Sequence, residues 1–417
     1  MFFIYNLFLY SVVIVCLPLI LVLLVFNGFR FRERLGLRGP DVIDSRKSIW
    51  LHGASMGEIG IIKKILPDLK KKYPAHPIVV SATTPSGLAS IRRDAADLIS
   101  HALLLPLELP FAMRRIVRLV NPEKLVIAET ELWPNLIAES KRYGARVVLI
   151  NGRVSDRSFP KYLFFNFFFG RVLSRFDAVG VQTREYYRRF QRLGANRSRM
   201  AVTGNIKGSI RLRSVEPGVK DRMREALGVP AGERIWIAAS THAGEEETVV
   251  RVHRNLRKTG LPVFLILAPR YPKRTPEIEE WLRREGVAFR RKSGAGNGAK
   301  SAPVLILDTF GELSDLFTVA DVAFVGGTLI PHGGHNLLEP FPTLTPVCFG
   351  PHFDTQKESA RIILSNRCGA SVRDGEELEA FLTKALTDQE FYNGMVAQIR
   401  FLLEKTDIKL KANLDLI

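Results

Sequence analysis

Residues 321–340, DVAFVGGTLIPHGGHNLLEP, bring two glycine pairs, two histidines, an amide and two carboxylates into one short stretch. An apolar run at 322–325 breaks into Gly326 and Gly327, and Gly333 and Gly334 then lead into His335, Asn336, Leu337, Leu338 and Glu339. The order predicts a strand, a glycine loop and a helix start. Glycines let backbone N–H groups approach a phosphate closely, and a helix start aims unpaired N–H groups and the positive dipole end at the same point. Glu339 is then expected in the first helical turn, where its carboxylate can accept from a ribose diol. An ordinary strand-to-helix turn has the same pattern, so the rest of a nucleotide site must lie elsewhere.

Glu58 is the candidate for proton transfer. It closes HGASMGE, residues 52–58, after two glycines on a predicted strand-end loop. A general base needs such a placement and a pKa tuned by partial burial. The competing structural reading is a glutamate at a helix N-terminus, stabilised by the dipole. Glu129 and Glu131 in ETELWPN point to opposite faces if extended, so one can meet substrate while the other holds the loop. Trp133-Pro134 reads as packing. His332, His335 and His352, with Glu339 as a fourth ligand, are a conceivable metal set. The His332/His335 spacing falls across a Gly-Gly loop rather than along a helix face, so no metal is expected.

Positioning these groups requires strand ends. Short apolar runs at 48–51, 78–81, 102–105, 125–128, 147–150, 178–182 and 201–203 alternate with helical stretches such as 59–72 and 84–97. After a polar linker with Pro217 and Pro230 the alternation restarts, with strands at 235–239, 263–268, 304–308, 322–325 and 347–350 and a helix at 312–320. Strands alternating with helices indicate parallel, doubly wound sheets, in which ligands collect at the strands' carboxyl ends. The reading is α/β, with two Rossmann-like domains facing across a cleft in the GT-B manner. The expected division is an N-terminal anchor (1–29), an acceptor domain (30–208), a donor domain (209–390) and a helical tail (391–417) that packs back.

With 417 residues, 46% of them hydrophobic, the chain is long enough for two cores and is not disordered. Three scattered cysteines suggest a reduced compartment and provide neither a disulfide framework nor a zinc site. A net charge of +18 points to an anionic partner, nucleic acid or a membrane surface. No charged side chain occurs from Met1 to Gly28, and Arg30, Arg32, Arg34 and Arg38 follow. This predicts a retained membrane span or an interfacial segment, with the body of the protein on the cytoplasmic side. Residues 159–176 hold seven phenylalanines beside Lys161, Arg171 and Arg175. That segment suits either a core or a headgroup boundary, and with the anchor it points to a lipid acceptor.

HGASMGE, ETELWPN, NGRVSDRS, TGNIK, STHAGEEE, APR, DTFGEL and VGGTLIPHGGHNLLEP occur in this order. Together they resemble the 3-deoxy-D-manno-octulosonic acid (Kdo) transferases of lipopolysaccharide synthesis, over nearly the whole chain. The resemblance implies a GT-B fold, CMP-Kdo as donor, a lipid A precursor (tetraacyldisaccharide bisphosphate) as acceptor, and inverting transfer without an essential metal or other cofactor. It also implies Glu58 as proton acceptor. Pro269, Arg270, Phe310, Gly311, Glu312, Asn336, Leu337, Leu338 and Glu339 fall on its CMP-contacting stretches, the two leucines through their backbone. NLLEP stands where NPLE is more usual, but Asn336 and Glu339 are kept. Ser55, Gly57, Glu129, Lys207, Thr241, His242 and His335 are further candidate donor or acceptor contacts. A membrane-bound nucleotide-sugar binding protein and a sugar-nucleotide epimerase are the rival readings. A nucleic-acid protein is disfavoured because no binding motif accompanies the charge.

Overall fold

The computed structural model describes residues 2–18, 34–35, 46–213, 215–294 and 302–417. The chain divides into two units, Met1–Ser209 with Thr406–Ile417, and Ile210–Lys405.

In the first unit, β1 (Ser48–Gly53), β2 (Ile78–Ala82), β3 (His101–Leu104), β4 (Pro122–Ala128), β5 (Arg146–Gly152), β6 (Ala178–Val181) and β7 (Met200–Val202) form one parallel sheet. Its order among the described residues is β3-β2-β1-β4-β5-β6-β7. The strands are near-continuous apolar runs because helices cover both faces. Successive side chains alternate between two cores. Ile49, Leu51, Ile78 and Val80 enter one, while Trp50 and Val79 enter the other. Leu410, Leu414 and Ile417, from the end of the helix Gln389–Leu414 and beyond it, complete the first of these cores. Buried Asn413 accepts from the Asn151 N–H at 3.1 Å and from Thr203 Oγ1 at 3.0 Å, tying the chain's end to two strand ends.

The second unit repeats the plan with β8 (Arg234–Thr241), β9 (Val263–Pro269), β10 (Phe289–Arg291), β11 (Val304–Ile306), β12 (Val322–Val325), β13 (Val347–Phe349) and β14 (Gly369–Ser371). Their order is β10-β11-β9-β8-β12-β13-β14, all parallel. Trp236 and Leu265 pack on one face, Ile235, Ile237, Phe264 and Ile266 on the other. Strand order reverses between β1 and β4 in the first sheet and between β8 and β12 in the second. Loops leaving these strand pairs flank the crevice where open α/β sheets take ligands.

Several elements differ from expectation. No α-helix starts near His335; the next one is Lys357–Ser365. Gly333 and Gly334 are left-handed (φ 100° and 85°), and Pro340, Pro342 and Pro346 then interrupt any helical run. Glu339 is therefore not in a first helical turn. The helix expected at 59–72 begins earlier, at Met56, which places Glu58 inside it. The helix expected at 312–320 shortens to Leu313–Leu316. β10 and β14 were not expected, since FRR and GAS are too short and too weakly apolar to register as strands.

The proposed anchor falls partly on residues 19–29, outside the described residues. Its first part forms the helix Phe2–Val15, and among the described residues no helix is long and apolar enough to cross a membrane. Leu9 and Val13 of this helix pack with Leu35, Leu109 and Ala112, and Asn6 Oδ1 accepts from Asn135 Nδ2 at 2.8 Å. Phe3, Ile4, Phe8, Ile14 and Val15 remain exposed. The segment 159–176 divides between its two readings. It folds as the short helices Phe159–Phe164 and Asn166–Leu173; Val172, Leu173 and Phe176 are core, whereas Phe164, Phe165 and Phe167 face outward.

Candidate functional site

The crevice of the first unit gathers carboxylates. Ser55 caps the helix Met56–Lys72, its Oγ accepting from the Glu58 N–H at 3.4 Å. Glu58 Oε2 in turn accepts from the N–H groups of Ala54 (2.5 Å) and Ser55 (3.0 Å), which completes a capping box. Glu58 is only 8% exposed, and among the described residues the cap engages Oε2 alone. Glu129 follows β4 in the left-handed region (φ 58°), and Arg153 Nε approaches its Oε2 to 3.6 Å. Burial raises the Glu129 pKa and the Glu58 charge adds to it, while Arg153 and Lys207 act against them. Glu131 is pushed up to about 7, chiefly by burial and then by the Glu58 charge, although Trp133 Nε1 donates to it at 2.9 Å. Glu58, Glu129 and Glu131 are thus within electrostatic reach of one another, the arrangement that parts acid from base. Lys207 Nζ lies against Gly57, so close that a Cβ there would meet it at 3.2 Å. Of the residues singled out from the sequence, Ser55, Gly57, Glu58, Glu129 and Lys207 come together here, and Glu131 joins them.

In the second unit a cavity of about 260 Å³ opens at the carboxyl ends of β8, β9 and β11. Pro269, Arg270, Phe310, Gly311 and Glu339 all line it. Burial raises the Glu339 pKa and the nearby Arg270 guanidinium opposes the rise. Phe310 is 79% exposed, a free aromatic face at the rim. The remaining predicted contacts lie outside the lining. Glu312 pairs with Lys292 at 3.3 Å, Asn336 Oδ1 accepts from the Leu338 N–H, and Leu337 is wholly buried in a core. Ser240, Thr309 and Ser314 line the cavity and were not anticipated. Thr309 sits inside the DTFGEL motif and Ser240 opens STHAGEEE, so the motifs could have pointed to both.

The glycine loop is used differently from the expectation. Glu245, fully buried, accepts four backbone N–H bonds. Its Oε2 takes those of His242 (3.0 Å) and Gly327 (2.7 Å), and its Oε1 those of Thr328 (3.0 Å) and Leu329 (2.9 Å). Of the N–H groups expected to face a phosphate, that of Gly327 is therefore occupied by a carboxylate of the protein itself, and those of Gly326 and Gly334 donate to the Ala239 and Gly327 carbonyls. Gly326 permits the approach, because a Cβ there would lie 2.6 Å from the Ser240 carbonyl and 2.7 Å from Thr241 Cα. The loop carries His332 and His335 against His242, with His352 and Glu339 outside that group.

Residues 29–210 match the family model for 3-deoxy-D-manno-octulosonic-acid transferase (kdotransferase). A 3-deoxy-D-manno-octulosonic acid transferase of Haemophilus influenzae is 32% identical over 361 residues, covering 85% of this chain and 84% of that protein. The chain belongs to the Kdo transferase family. The enzyme of the same name from Chlamydophila psittaci is 33% identical over 372 residues, 88% of this Kdo transferase and 84% of its relative. Among solved structures, the C-terminal CMP-Kdo binding domain of WaaA from Acinetobacter baumannii is similar, with 25% identity and a TM-score of 0.42 over 44% of this chain and 96% of that one. The protein is a glycosyltransferase by family, and its candidate groups lie at the sheet ends where the fold places ligands.

Proposed function

We propose that this Kdo transferase moves Kdo from CMP-Kdo to a lipid A precursor, a tetraacyldisaccharide bisphosphate, with inversion and without an essential metal or cofactor. The observation that carries the reading is the cavity of the second unit, where an exposed ring, a guanidinium and a carboxylate converge. Phe310 offers a face to the cytosine, Glu339 accepts from the ribose hydroxyls, and Arg270 meets the phosphate or the sugar carboxylate. Glu58 is the base that takes the proton of the acceptor hydroxyl as it attacks the anomeric carbon from the face opposite CMP. One displacement inverts the configuration.

The exposed phenylalanines and the apolar face of the helix Phe2–Val15 support placement at the bacterial inner membrane, on the cytoplasmic side. The basic excess would then serve the acceptor phosphates and anionic lipid.

Arg270→Ala is expected to raise the donor KM by about 10–100-fold, the loss of one or two charge-assisted bonds. Arg270→Lys restores only part of the loss, because an ammonium lacks the planar fork. Steady-state kinetics with varied CMP-Kdo and calorimetry with CMP check this; unchanged values in both would take Arg270 out of the donor site.

The reading as a whole is tested with the purified full chain, CMP-Kdo and the lipid A precursor, with and without EDTA. Product masses one or more Kdo units above the acceptor, formed equally in EDTA, support it. CMP-Kdo binding without transfer would favour the binding-protein reading instead.

A further inference from the structure

Three imidazoles meet at the crevice of the second unit. His242 follows β8, and His332 and His335 come from the loop after β12, so the strand pair at which the sheet reverses supplies all three. His242 Nε2 and His335 Nε2 are 2.7 Å apart, and those two rings are nearly parallel, with an interplanar angle of 1°. His332 lies over His242 with ring centroids 4.1 Å apart. One nitrogen from each ring falls within 4.8 Å of the others. Gly327 makes room for this, since a Cβ there would sit 3.2 Å from His335 Cδ2 and 3.3 Å from His332 Nδ1.

We infer that His242, His332 and His335 form a binding site for one divalent transition-metal ion of the zinc, cobalt, nickel or copper class. Neutral imidazole nitrogens are ligands for these ions, whereas magnesium and calcium require oxygen. Three histidines with a fourth position open to water or an anion are a known zinc arrangement. Bonds of about 2.0–2.1 Å in tetrahedral geometry need ligand nitrogens somewhat farther apart than 2.7 Å. Small rotations of the loop-borne rings of His332 and His335 supply that. The hydrogen now shared between two Nε2 atoms moves to the other nitrogen of its ring, so each ligand stays neutral.

The Glu245 carboxylate, which accepts from the His242 N–H, supplies a negative charge behind the cluster. Arg270 and Arg274 oppose it. A bound ion would brace the end of β8 to the loop after β12, beside Arg270, without being required for sugar transfer.

The test uses the full chain after EDTA treatment and dialysis. Co²⁺ titration should saturate at one equivalent with the visible bands of a four-coordinate ion, and Zn²⁺ should bleach them. His332→Ala, at an exposed position, and His335→Ala should each weaken Zn²⁺ binding by more than about 100-fold, beyond the 10–100-fold of an outer-shell change. His352→Ala should leave it unchanged. Absent Co²⁺ bands, or Zn²⁺ affinity indifferent to both His332→Ala and His335→Ala, overturn the site. The readout is spectroscopic, so its failure leaves the transferase reading standing.

Discussion

Glu58→Gln is expected to lower the transfer rate by about 10²–10⁴-fold, the usual contribution of a placed base, while CMP binds with unchanged affinity. The substitution separates the cap, which the structure shows, from the base, which is proposed. As a cap, Glu58 accepts from Ala54 and Ser55 through Oε2. The glutamine amide oxygen can make the same bonds, so the helix Met56–Lys72 keeps its N-terminus. As a base, glutamine has nothing to accept a proton with. Glu58→Ala loses both and should in addition cost about 1 kcal/mol of stability. Single-turnover transfer, melting temperature and CMP calorimetry on the three proteins give the answer. Full transfer by Glu58→Gln, with a lower melting temperature only in Glu58→Ala, would reduce Glu58 to a cap. The Glu131 carboxyl reports independently. Its pKa of about 7 is raised in part by the Glu58 charge, so it should fall in Glu58→Gln.

Glu245→Ala should destabilise the second unit by about 3 kcal/mol or more, since each buried N–H left unpaired costs on the order of 1–3 kcal/mol. Four such groups lose their acceptor together, those of His242, Gly327, Thr328 and Leu329. Glutamine is not a rescue here. Its NH₂ would face two of these donors, so only about half of the bonds can re-form. Because the same loop carries His332 and His335, the change should also loosen the crevice and weaken CMP binding. Calorimetric unfolding and CMP titration measure both effects; a Glu245→Gln protein that melts and binds like the parent would show that the nest does not hold the loop.

The doubly wound plan was legible because parallel strands covered on both faces must be apolar throughout. Runs such as WIAA, FLILA and VVLI carry that signature. Arg270, Phe310, Gly311 and Glu339, which line the cavity, were singled out through the resemblance to the Kdo transferases. What the sequence could not show is pairing across distance. Glu245 reads as one of three consecutive glutamates opening a helix, and nothing local says that it reaches a loop more than eighty residues on. His242 was singled out, and so was His335, but their meeting depends on β8 and β12 being neighbours. The false helix at His335 arose from the opposite error. Leucines and a glutamate favour helix locally, whereas three prolines and two left-handed glycines close by prevent it. Neither β10 nor β14 has enough apolar residues to be seen without its partner strand.

Two residues at the crevices, Glu129 (φ 58°) and Ser240 (φ 55°), hold left-handed backbone without being glycine. Such positions cost on the order of 1–3 kcal/mol each. A more heat-tolerant variant is therefore one glycine away at either strand end, and selection for endurance alone would find those changes early. Each would exchange a candidate side chain for a relaxed backbone, a carboxylate beside Glu58 in one case and a hydroxyl lining the cavity in the other. Thermal robustness and a fully equipped crevice thus pull these two positions in opposite directions.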